Sequence, residues 1–93
     1  MRGSGSENSV AASHPYRLSD YPEGANGSIM KVGGDHEFRL RMIEMGLTEG
    51  IEIKVVKYAP LSDPIECLVK GYHLSLRREQ AAKILMNPPE KES

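Results

Sequence analysis

Asp35, His36, Cys67 and His73 carry the carboxylate, imidazole and thiol groups that a zinc-type ion accepts as ligands. No two of them stand at the CxxC, HxxxH or CxxH spacing that fixes such a site in a sequence. If the chain reverses on Lys70 and Gly71, Leu68 faces His73 and Cys67 faces Leu74, which puts thiol and imidazole on opposite sides of a sheet. A three-residue reversal would put them on the same side. Cys67 also shares its alternation phase with Ile65 and Val69, so it reads as a small buried hydrophobe, whereas a nucleophile needs an exposed, electropositive setting. No phosphate-binding run of the GxxxxGK[ST] type occurs, and Gly33-Gly34 has no Lys-Ser or Lys-Thr behind it. No catalytic residue, metal ligand or cofactor is assigned, and the chain is not read as an enzyme.

Composition narrows the field further. The 93 residues leave room for one small domain, 39% hydrophobic and 27% charged, far from the signature of a disordered chain. Twelve Lys and Arg against 13 Asp and Glu give a net charge of −1, with no field to gather a nucleic acid. One Phe, four Tyr and no Trp offer few platforms for stacking bases. The single cysteine cannot form an internal disulfide, and no apolar run approaches the roughly 20 residues that span a bilayer. Cytoplasmic residence without membrane insertion is therefore expected.

These groups have to be held by a few short elements. Residues 1 to 15, rich in Gly and Ser, read as a disordered tail or an appended leader, and residues 87 to 93, with two prolines, as a disordered carboxyl tail. The domain between them covers residues 16 to 86. Residues 27 to 32 read as a strand, closed by the Gly33-Gly34 turn. Asp35 is placed to cap a helix over residues 36 to 45, with Phe38, Met42 and Met45 forming one stripe. Gly46 fits the left-handed position after it, and Leu47 would then pack on Met42 in a Schellman ending. Ile51, Ile53 and Val55 alternate with polar residues as a half-buried strand does, and Val56 breaks the alternation, which suggests a bulge turning both valines inward. Two prolines, Pro60 and Pro64, bound a loop before a hairpin over Ile65, Cys67, Val69 and Tyr72, Leu74, Leu76. Residues 77 to 86, with Ala81, Ile84 and Leu85 at helical spacing, are expected to form a short closing helix. The sum is a mostly β fold: a small SH3-like barrel of about five strands with an inserted helix and a short carboxyl-terminal helix.

Some apolar groups are left over after the core is filled. Leu40 and Ile43 fall roughly opposite the Phe38 stripe, so one surface cannot bury all five residues. Either the helix is sandwiched or a patch is left for a partner. Leu61 in the proline-bounded loop and Leu68 on the polar side of its strand are further candidates. Arg39, Arg41, Arg77 and Arg78 are the densest basic points, although Glu37, Glu44 and Glu79 lie close and make a solvated mixed-charge face the simpler account.

Three segments together carry a resemblance: Arg41-Met42-Ile43-Glu44-Met45-Gly46-Leu47-Thr48-Glu49-Gly50, then Ala59-Pro60-Leu61-Ser62-Asp63-Pro64-Ile65-Glu66, then Lys70-Gly71-Tyr72-His73-Leu74-Ser75-Leu76-Arg77-Arg78-Glu79-Gln80-Ala81. With Leu18-Ser19-Asp20 and Pro22-Glu23-Gly24 ahead of them, they resemble the FeoA family of small cytosolic proteins of bacterial ferrous iron uptake. The likeness covers about residues 18 to 86. It implies an SH3-like barrel that binds and modulates a membrane-embedded ferrous iron permease with a cytosolic G domain. It also implies structural roles for Gly46, Leu47, Pro60, Pro64 and Gly71, and carries over no metal ligand. The partner surface is expected on Leu40, Ile43, Leu61, Arg77 and Arg78, with no nucleic acid involved. The alternative is an SH3-like domain that senses or carries Fe(II) or another divalent metal, like those attached to iron-dependent repressors, although this chain has no helix-turn-helix to read DNA.

Overall fold

The alternation of Ile65, Cys67 and Val69 becomes a strand because each second side chain finds the core, and all three are fully buried. The computed structural model describes residues 16–90; the tail expected over residues 1 to 15, and the last three residues, lie outside the described residues. In chain order it holds β1 (Tyr16–Arg17), a 3-10 turn (Leu18–Asp20), β2 (Asn26–Val32), α1 (His36–Glu44), β3 (Glu52–Tyr58), β4 (Ile65–Val69), β5 (Tyr72–Leu76), α2 (Arg78–Ala81) and β6 (Ile84–Met86). One antiparallel sheet contains every strand, in the order β1-β6-β2-β3-β4-β5. The fold is mostly β, as expected, with α1 inserted between β2 and β3.

The sheet is bent at two irregularities, between Ile29 and Lys31 on β2 and between Val55 and Lys57 on β3. The second is the expected bulge, but it turns only Val55 fully inward; Val56 stays half-buried and outside the core. The two end strands, β1 and β5, do not pair, so the barrel remains open along one seam. Leu18, Tyr21, Ile29, Met42, Leu47, Ile53, Ile65, Leu76 and Met86 fill its interior.

Both ends of α1 follow from local chemistry. The Asp35 carboxylate accepts the Phe38 N–H at 2.8 Å, satisfying one orphan donor of the first turn. At the other end Met45 is the cap rather than the last helical residue, and Gly46 takes φ = 87°. The Leu47 N–H then donates to the Met42 carbonyl and the Gly46 N–H to the Ile43 carbonyl, each at 2.9 Å, the two bonds of a Schellman ending.

The expected closing helix over residues 77 to 86 is corrected. Helix α2 lasts four residues, Lys83 N–H closes a turn on Gln80, and Ile84–Met86 forms the sixth strand, β6, between β1 and β2. A three-residue apolar run fits either period, and tertiary pairing decides it. As a strand, β6 answers the backbone groups of both neighbours at once and buries Ile84 and Met86. The chain also stays attached beyond residue 86. Asn87 N–H reaches the Ser28 carbonyl at 3.0 Å and Glu90 N–H the Asn26 carbonyl at 2.8 Å, extending the contact along β2 into the segment read as a tail.

Candidate docking surface

Helix α1 has one face in the core and one in the open. Phe38 and Met42 are buried, while Leu40 and Ile43 remain 46% and 53% exposed, so the helix is not sandwiched. Their outward face forms one wall of a shallow groove of about 460 Å³, whose floor is Val32 and Leu47 and whose rim carries His36, Arg39, Thr48 and Glu49. Two contacts at the start of the helix hold this wall in place. The Arg39 Nη1 donates to the Gly34 carbonyl at 2.8 Å, and the Lys83 Nζ lies 4.8 Å from the centre of the Phe38 ring. The groove offers apolar contact with one cation, Arg39, and one carboxylate, Glu49, at its margin.

The five expected partner residues separate into two places. Leu40 and Ile43 share the groove. Leu61 is 90% exposed in the β3 to β4 loop, which the Ala59 N–H closes on the Pro64 carbonyl at 3.0 Å. That loop is tied to α2 by the Arg78 N–H, which donates to the Asp63 Oδ1 at 3.1 Å, so Leu61 belongs with Arg77 and Arg78. Strand β5 lies between the two places. The Tyr72 hydroxyl at its start donates to the Met45 carbonyl at the end of α1, whereas Arg77 and Arg78 follow its last residue. The four strand steps from Tyr72 to Leu76, about 3.3 Å each, carry the chain roughly 13 Å from one end of β5 to the other. Leu68 is half-buried and faces a second hollow of about 240 Å³ with Asn26, Glu52, Lys54 and Lys70.

Sequence reasoning did not name Val32, His36, Arg39, Thr48 or Glu49 as part of this surface. The signal was present for two of them, since His36, Arg39, Leu40 and Ile43 recur at helical intervals of three and four. Val32, Thr48 and Glu49 reach the groove through chain turns that spacing alone does not show.

The hairpin reverses on two residues. Lys70 and Gly71 take φ of 52° and 87°, and the pairing sets Cys67 against Leu74 and Leu68 against His73. Thiol and imidazole therefore lie on opposite faces and cannot share an ion. Burial, followed by the nearby Glu66 carboxylate, pushes the Cys67 thiol up to about 12, the reverse of an activated cysteine. No three ligand-type side chains converge among the described residues. Nor is any described helix long and apolar enough to cross a membrane.

Known proteins share this arrangement. The model of the FeoA domain matches residues 16–88. A curated relative, the Fe(2+) transport protein A/Fe(2+) transporter FeoB fusion protein of Porphyromonas gingivalis, is 47% identical over 68 residues, 73% of this chain. The match spans 8% of that much longer protein. The solution structure of a FeoA-like protein from Clostridium acetobutylicum is 28% identical, with a TM-score of 0.74 over 85% of this chain and 93% of its own. The zinc complex of Stenotrophomonas maltophilia FeoA, described as a procaryotic SH3 domain protein, is 22% identical and superposes with a TM-score of 0.68 over 77% of this chain and 89% of its own, a likeness of fold. With the SH3-like architecture and the family model both spanning nearly all the described residues, this chain belongs to the FeoA domain family.

Proposed function

We propose that this chain is a cytosolic accessory of bacterial ferrous iron uptake that acts by docking on, and modulating, a membrane-embedded ferrous iron permease with a cytosolic G domain. The observation that carries the reading is the Porphyromonas gingivalis relative, in which a segment 47% identical to this chain shares one polypeptide with an Fe(2+) transporter. A fused pair works at fixed high effective concentration, and within it a surface on the smaller domain makes the contact. The α1 groove is the surface we assign to that role. Leu40 and Ile43 are each about half exposed, and completing their burial contributes on the order of 1 kcal/mol apiece. Iron is then cargo of the permease, and the chain modulates its passage without chemistry of its own.

The test is binding of the chain to the permease of the same organism in lipid nanodiscs, with Leu40→Asp and Ile43→Asp compared with the wild type. Burying a carboxylate against an apolar contact should weaken affinity at least about tenfold. Equal affinity in folded variants would remove the groove from the interface, and no binding by the wild type would remove the docking role itself.

A further inference from the structure

Beyond the groove, one edge of the sheet is open. In a two-residue hairpin the residues flanking the turn exchange hydrogen bonds, as does every second pair after them. Here those pairs are Val69 with Tyr72, Cys67 with Leu74 and Ile65 with Leu76. The backbone N–H and C=O of His73 and Ser75 consequently point away from β4. Strand β5 ends the sheet, and no backbone hydrogen bond from another described loop or turn reaches either residue. Tyr72, His73 and Ser75 are exposed and Leu74 is half-buried, so the edge is accessible along most of its length.

Exposed edges are usually protected by a charge within the strand, a proline or a bulge. Strand β5, Tyr72–Leu76, has none of these. The cations stand at its two ends instead. From Lys70 to Arg78 the chain holds three cationic side chains and no carboxylate. This pattern decides between occupants. Pairing with a second copy about a two-fold axis at Leu74 would bring the Lys70 end of one chain against the Arg77 and Arg78 end of the other, like charge against like. A foreign strand with acidic residues at its ends meets the same edge with complementary charge.

We infer that β5 accepts an extended, acidic-flanked segment of the permease as a seventh strand, hydrogen-bonded to the outward backbone groups of His73 and Ser75. This rests on the docking role proposed above and adds the mode of contact. The incoming strand would set apolar side chains beside Tyr72 and Leu74, and polar ones beside His73 and Ser75, because neighbouring strands share faces. Tyr72 also joins the edge to the groove, since its hydroxyl is bonded to Met45 at the end of α1.

Ser75→Pro tests this selectively. It removes a donor that points outward and leaves the β4 ladder intact, a position where proline is tolerated. A second variant, Lys70→Glu with Arg77→Glu, reverses the charge at both ends without touching the backbone. Both are measured against the permease in nanodiscs, with folding checked by circular dichroism and the free chains examined by sedimentation. Ser75→Pro should lose about tenfold or more in affinity and the charge variant several-fold, most strongly at low salt. If Ser75→Pro fails to fold, loss of affinity in the charge variant alone supports the proposal. Wild-type affinity in the charge variant and in any folded Ser75→Pro overturns the strand but leaves the docking role standing, whereas a wild type that does not bind overturns both. A wild-type dimer that Ser75→Pro dissociates would assign the edge to a second copy and overturn the permease strand.

Discussion

The Tyr21 hydroxyl donates a hydrogen bond to the backbone carbonyl of Asn87, 66 positions further along the chain. Tyr21 is buried, its own carbonyl accepts from the Tyr58 hydroxyl, and its ring meets Tyr16 edge-on at 6.2 Å. One residue, through its hydroxyl, ring and backbone carbonyl, thus joins the start of the domain, the end of β3 and the segment that follows β6. Removing the hydroxyl while keeping the ring, Tyr21→Phe, should cost about 1 to 2 kcal/mol, since the Asn87 carbonyl loses its donor. Denaturant unfolding of the two chains checks this, and an unchanged midpoint would show that the bond contributes nothing.

The same phenol gives a pH dependence. Burial first, then the Glu90 carboxylate and Tyr16, push its pKa from 10.0 to about 12. The folded value lies above the unfolded one, so the stabilisation is complete below pH 10 and fades as pH rises through 10 towards 12. Wild-type stability should therefore fall more steeply across that interval than that of Tyr21→Phe.

Gly27 lies directly under this hydroxyl. A Cβ built there would run into the Tyr21 phenol, so Gly27→Ala must displace the ring or the strand. A cost of about 1 to 3 kcal/mol is expected from overpacking. The double variant Gly27→Ala with Tyr21→Phe should cost less than the sum of the two singles, and strict additivity in a double-mutant cycle would separate the two sites.

Much of this was legible from the letters and some was not. The Schellman ending at Gly46 and Leu47 and the Asp35 cap are set by neighbours in the chain, so local chemistry is enough to read them. At Lys70 and Gly71 the letters admit a reversal of two residues or of three, and the pairing of β4 with β5 selects the first. Strand β6 is different. Ile84, Leu85 and Met86 suit a helix or a strand equally, and only the unfilled position between β1 and β2 chooses. The groove lies between these cases. Leu40 and Ile43 were visible as apolar residues in excess of the core, whereas Val32, Thr48 and Glu49 join them through the fold. Leu61 was equally visible as surplus, yet chain distance could not show that it stands with Arg78 at the far end of β5.

Gly46 offers a local test of the helix stop. Its φ of 87° is strained for any side chain, and a Cβ would come within 3.2 Å of the Tyr72 hydroxyl oxygen. Gly46→Ala should lower stability by about 1 to 2 kcal/mol. Leu61→Ala, at a residue 90% exposed, should stay within about 0.5 kcal/mol of the wild type in the same thermal melts.

Cys67 should behave as packing. With its thiol fully buried and held at about 12, labelling by an aromatic disulfide reagent at neutral pH should be slower in the folded chain than in urea by about a hundredfold or more. Rapid labelling of the folded chain would mean that the core opens readily at β4.

The docking role itself is read most directly by amide hydrogen exchange on the chain, with and without the permease in nanodiscs. Slower exchange on complex formation is predicted over residues 39–49, which wall the groove, with the buried amides of β4 unchanged. Formation of the complex with no slowing across that segment would contradict the assignment of the α1 groove as the surface by which this chain works.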